Sequence, residues 1–124
     1  MAGLDVTTQV HMDDEYLGTV RELGNRAGQF VWDITRFYIA AYHRYGYEDM
    51  VVHDSCALMA IIRPEFFTSH FVYVDVETSG ELTRGQTIGD WRRQYGHDPQ
   101  THVLTGVDDV AFKRLYYERI ATLP

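Results

Sequence analysis

Cysteine is nearly missing from these 124 residues: Cys56 stands alone, so no internal disulfide framework is available and a reducing compartment is expected. Basic charge is also scarce. Eleven Lys and Arg against 18 Asp and Glu leave a net charge of −7, which argues against nonspecific binding to nucleic-acid backbones or anionic membranes. The longest apolar run, Cys56 to Ile62, falls far short of the roughly 20 residues a membrane helix needs. No basic patch followed by an apolar stretch is found near Met1, so no secretory signal is expected. The chain has no Asp-x-Asp-x-Asp-Gly calcium loop, no phosphate-cradling glycine loop and no Gly-x-Ser-x-Gly elbow. What is present has ordinary proportions, with 45% hydrophobic and 23% charged residues over the length of one domain. The expectation is a single domain over residues 1–124, in the cytoplasm.

Gly3 to Val10 is rich in Val and Thr and reads as a strand end or tight connection. Asp13 is placed to cap a helix that runs to about Leu23 and stops at Gly24. A longer helix opens near Asn25. Its Phe30, Ile34, Phe37, Tyr38 and Ala41 share one face by their three- and four-residue spacings, Val31 and Trp32 widen it, and that face is expected to be heavily buried. The pattern breaks at Tyr45-Gly46-Tyr47, and a loop continues to Val52. Asp54 or Ser55 can cap a short apolar helix that ends before Pro64. Phe71 to Glu77 alternates as a strand, Gln86 to Trp91 can form a second and Thr101 to Val107 a third, before a last helix capped by Asp108. The order is three helices, three short strands and a terminal helix, which is α+β or a piece of an α/β sheet. Three short strands cover few apolar helix faces, which hints at missing partners.

His53-Asp54 is the pair best suited to chemistry. It stands at the entry to an apolar helix, where free backbone N–H groups favour a carboxylate. An imidazole beside a metal-ligating carboxylate makes an acid–base element, although helix capping would account for Asp54 equally. A second dipeptide, His97-Asp98, precedes Pro99 in a polar turn and reads as turn chemistry. Asp13-Asp14 and Asp108-Asp109 fit helix starts, and Cys56 in its apolar helix is expected to be buried and inert. Tyr38, Tyr42, Tyr45 and Tyr47 cluster toward one helix end, where an exposed ring can stack on a planar base.

Three segments recur in one family in this order: Gly3-Leu4-Asp5-Val6-Thr7, then Val52-His53-Asp54-Ser55-Cys56-Ala57, then Val74-Asp75-Val76-Glu77 with Gly80-Glu81-Leu82-Thr83-Arg84-Gly85. They resemble the C-terminal part of the inosine–uridine preferring nucleoside hydrolases, which split the N-glycosidic bond of ribonucleosides. The resemblance implies an α/β fold, the C-terminal part of an open, mostly parallel sheet flanked by helices. It implies that His53 protonates the leaving nucleobase and that Asp54 is a Ca²⁺ ligand, with Ser55 where the family usually has Pro. Tyr42, Tyr45 and Tyr47 could close over the base. The family's Asp-x-Asp-Pro-Gly-x-Asp-Asp motif, which supplies most Ca²⁺ ligands and the base that activates water, has no match in these residues. One carboxylate cannot hold Ca²⁺ usefully. The expectation is therefore a partial domain that acts on nucleosides such as inosine or uridine only with its other part. It would self-associate as a homo-oligomer or join a separate N-terminal half. A non-catalytic interaction module on the same scaffold is the alternative.

Overall fold

The computed structural model describes residues 1–124. Five α-helices are α1 (Leu4–Thr7), α2 (Asp14–Arg21), α3 (Arg26–Arg44), α4 (Asp54–Ile62) and α5 (Asp109–Ala121). Six short strands are β1 (His11–Met12), β2 (Met50–Val51), β3 (Phe67–Val72), β4 (Val74–Val76), β5 (Thr87–Gly89) and β6 (Thr101–Val107). No helix is long and apolar enough to cross a membrane.

The caps expected at Asp13 and Asp108 are present, and Asn25 caps the helix expected to open near it. Asp13 accepts from Tyr16 N at 2.7 Å, Asn25 from Gly28 N at 2.8 Å and Asp108 from Ala111 N at 2.9 Å. Asp54 is not a cap. His53 occupies the N-cap position of α4 without a side-chain capping bond, and Asp54 lies in the first turn.

The strand expectations need correction. Gly3 to Val10 holds the short helix α1, closed by amide bonds from Val6 and Thr7 to the Gly3 carbonyl. The stretch Phe71 to Glu77 is not one strand. Tyr73 separates β3, which begins at Phe67, from β4, and Val76 is exposed rather than aligned on a buried face. β3 pairs with β6 and β4 pairs with β5, both antiparallel, so the two halves of the expected strand belong to different ladders. The second strand shrinks to Thr87–Gly89, while Thr101–Val107 stands as expected. The mostly parallel sheet is not found in these residues. All three ladders are two-stranded and antiparallel, because no helix here crosses between neighbouring strands.

A single core joins the helices: Val10, Met12, Leu17, Val20, Val31, Ile39, Met50, Cys56, Met59, Phe112 and Leu115. Burial pushes the Cys56 thiol up to about 11, and its Sγ donates to the Val52 carbonyl at 3.1 Å, which suits the inert role expected of it.

The buried face of α3 keeps Val31 of the expected set but not its large side chains. Gly28, Val31, Thr35 and Ile39 face inward, whereas Phe30, Ile34, Phe37 and Tyr38 are exposed. The inward stripe is smaller and lets α2 come close. A Cβ at Gly28 would collide with the Val20 carbonyl oxygen. Arg36 fixes the same orientation by stacking on Trp32 at 3.6 Å and pairing with Asp14 at 2.5 Å. The more apolar stripe is left with nothing in this chain to cover it. On α4, Leu58, Ile61 and Ile62 are exposed in the same way.

Candidate active site

The turn after α3 and the N-terminus of α4 are held together by the smallest ladder of the fold. His11 opposes Val51 and Met12 opposes Met50, so the segment that leaves α1 lies against the segment that enters α4. That pairing sets Thr7 beside His53. Thr7 is 3% exposed, and its Oγ1 lies 2.8 Å from His53 Nδ1 across 46 residues of chain. His53 itself is half-buried.

His53 lines a cavity of about 600 Å³ whose other walls include Tyr42, Tyr45, Tyr47, His11 and Asp49. The tyrosine wall is a product of the way α3 ends. Gly46 adopts φ +83°, a left-handed conformation that glycine takes without a Cβ clash. Amides of Tyr45 and Tyr47 both return to the Tyr42 carbonyl. His43 Nε2 to the Glu48 carbonyl, 2.8 Å, holds the turn from outside. Tyr42 packs against Tyr38 at 5.0 Å between ring centroids and against Tyr47 at 5.6 Å. Its polar contact with Tyr38, then burial and the neighbouring phenols, pushes its hydroxyl up to about 12. Tyr45 and Tyr47 are 82% and 63% exposed, so their rings are free to meet a flat molecule in the cavity.

Four of the residues expected from sequence to carry the site are thus brought to one cavity: His53, Tyr42, Tyr45 and Tyr47. The fifth, Asp54, is exposed in the first turn of α4. No group of three or more His, Cys, Asp or Glu is close enough to hold a metal ion. A hard cation such as Ca²⁺ needs six to eight oxygens, so the donors present do not fit it by themselves. The second dipeptide is elsewhere. His97 stacks on Tyr73 at 4.6 Å beyond the β3–β6 ribbon, well outside this cavity.

Sequence reasoning gave no role to Thr7, His11 or Asp49. His11 Nδ1 lies 3.6 Å from Asp49 Oδ2 at the cavity rim, a contact that only the β1–β2 pairing creates. Thr7 sits inside the Gly-Leu-Asp-Val-Thr segment, but nothing local to that segment points at residue 53.

Residues 1–114 match the family model described as inosine-uridine preferring nucleoside hydrolase. The pyrimidine-specific ribonucleoside hydrolase RihA of Klebsiella pneumoniae strain 342 is 34% identical over 124 residues, covering 98% of this chain and 40% of its own length. RihA of Escherichia coli strain K12 / MC4100 / BW2952 is 34% identical over 125 residues, covering 97% of this chain and 39% of its own. Among solved structures, the purine-preferring ribonucleoside hydrolase from Gardnerella vaginalis superposes with a TM-score of 0.85 at 33% identity, over 98% of this chain and 39% of that one. A plant nucleoside hydrolase has the same TM-score at 22% identity over 97% of this chain and 40% of its own, a likeness of fold alone. The chain spans about 40% of the length of the curated relatives it matches.

Proposed function

This chain belongs to the inosine-uridine preferring nucleoside hydrolase family, and from that premise we propose that it forms the leaving-group side of a site that hydrolyses the N-glycosidic bond of ribonucleosides such as inosine or uridine. The observation that carries the reading is the placement of His53, tied to buried Thr7 and lining a cavity walled by Tyr42, Tyr45 and Tyr47. In such a reaction water adds to the anomeric carbon and the C–N bond breaks. The bonding pair moves to the base, which then takes up a proton. His53 delivers that proton, while the tyrosine rings hold the departing base flat against the turn after α3.

Asp54, exposed at the first turn of α4, would contribute one carboxylate to a Ca²⁺ whose remaining oxygen donors lie outside these residues. These 124 residues hold no Asp-x-Asp-Pro-Gly-x-Asp-Asp segment, the one that the resemblance implies would activate water. Activity is therefore expected to need carboxylates from outside these 124 residues. The uncovered apolar residues of α3 and α4 support association with such a source.

Ribose release from inosine and from uridine, measured with Ca²⁺ and again with a chelator, tests the reading. Residues 1–124 alone are expected to give no turnover. Addition of a polypeptide bearing the Asp motif should produce turnover that the chelator abolishes and His53→Ala lowers by at least the 10²-fold typical of general-acid loss. Chelator-sensitive release by the chain alone would overturn its need for carboxylates from outside these residues. A reconstituted activity unaffected by His53→Ala would overturn the role of His53.

A further inference from the structure

We propose that Thr7 is the positioning residue for His53: its buried hydroxyl donates to Nδ1 and so holds the neutral imidazole as the Nε2–H tautomer, leaving that hydrogen for a molecule in the cavity. Its meaning for catalysis rests on the reading of His53 as the group that faces the base: the neutral Nε2–H gives that base a hydrogen bond, and a proton is delivered only from the imidazolium, in which Nδ1–H donates to Oγ1 in turn.

The argument begins with the hydroxyl's single hydrogen. Thr8, next along the chain, sends its hydroxyl back to the Leu4 carbonyl at 2.7 Å, as threonines near a helix end commonly do. Thr7 does not. Its Oγ1 has one hydrogen-bond partner, His53 Nδ1 at 2.8 Å. If Nδ1 carried the hydrogen and donated to Oγ1, the Thr7 hydrogen would have no acceptor at a position only 3% exposed. A buried donor without an acceptor is costly, whereas O–H donating to a bare Nδ1 satisfies both groups. The bond made by one ring nitrogen decides where the other carries hydrogen, so Nε2–H follows.

The support under Thr7 is rigid. Its amide donates to the Gly3 carbonyl at 3.1 Å, and its own carbonyl accepts from Val10 N at 3.4 Å. Val6 and Val10 on either side are both completely buried. No protein group bonds His53 Nε2, and the ring lines the cavity. An imidazolium also carries hydrogen on Nε2, so the cavity meets an N–H from His53 in either charge state. Asp54 is not required for this arrangement, since the Thr7 contact fixes the ring through its opposite nitrogen.

Long-range ¹H–¹⁵N correlation of the six imidazoles at pH about 9, above the ordinary histidine range, reads the tautomer directly, with His53→Gln to assign the signal. The expected result is a protonated Nε2 and a bare Nδ1 in the unaltered chain. Thr7→Val keeps the side-chain shape and removes the hydroxyl, and should shift both ¹⁵N resonances toward an averaged mixture. Thr7→Ser should restore the original shifts. A protonated Nδ1 in the unaltered chain, or a Thr7→Val spectrum identical to it, would overturn the assignment. Should Thr7→Val fail to fold, Thr7→Ala, which also removes the hydroxyl, takes its place with the same two outcomes. The spectrum needs no turnover, so absence of ribose release would remove the hydrolase reading and leave this one standing.

Discussion

Helix α3 carries two apolar stripes, and the chain buries the poorer of them. One stripe is Gly28, Val31, Thr35 and Ile39, packed toward α2 and the core. The other is Phe30, Ile34 and Phe37, which are 63%, 55% and 79% exposed. Had greasiness alone decided, the phenylalanines would be inside. Close approach decided instead, because a glycine and slim β-branched side chains let two helix backbones meet where bulky rings would hold them apart. The outward stripe is thus left uncovered by the rest of these residues.

The contrast can be broken or sharpened by substitution, beginning on the inward side. Ile39→Ala should cost about 2–5 kcal/mol by removing buried volume that the site cannot refill, and the urea midpoint should fall accordingly. A loss below about 0.5 kcal/mol would mean that the inward stripe is not the packed one. Gly28→Ala comes next, at about 1–3 kcal/mol, because its methyl must push against the Val20 carbonyl. Thermal melting of the two variants side by side checks their ranking. Asn25→Ala removes the cap of α3 and also the amide bonds to the carbonyls of Ile120 and Leu123, at 2.8 and 2.9 Å. About 1–2 kcal/mol should be lost, and amide exchange should accelerate in the first turn of α3 and in the last residues of the chain together. The smallest effect on folding belongs to the outward side. Phe37→Ser should alter monomer stability by less than about 0.5 kcal/mol and yet shift the light-scattering mass toward the monomer. If the unaltered chain is already a monodisperse monomer, the outward stripe is not a self-association surface.

Much of this was legible in the sequence, for reasons that were local. Asp13, Asn25 and Asp108 announce their helices because a cap is read within four residues. Pro64 ends α4 by the same short-range logic. The order of Gly-Leu-Asp-Val-Thr and His-Asp pointed to the family that the comparisons then matched over residues 1–114. The failures were failures of distance. Periodicity found the apolar arc of α3 but could not say which part of it another helix would touch. Alternation over Phe71 to Glu77 looked continuous, yet the backbone turns at Tyr73 and the two halves find different partners. In the candidate site, His53 and the three tyrosines lie close enough in sequence to be suspected together. Thr7 and His11 reach them only through a two-residue ladder that no propensity would have ranked.

The bonds that anchor the N-terminal segment have a consequence for the time course of folding. Thr7 meets His53 across 46 residues, Gln9 meets the Thr105 carbonyl across 96, and the Met1 ammonium meets the His102 carbonyl across 101. Each closes a long loop and must absorb its entropy before any return is gained, and such contacts slow folding. The helices can form early from neighbours in the chain. His53 acquires its partner only once the first residues have docked against a segment 46 positions on, so in refolding experiments the helical signal should precede the ordering of its imidazole.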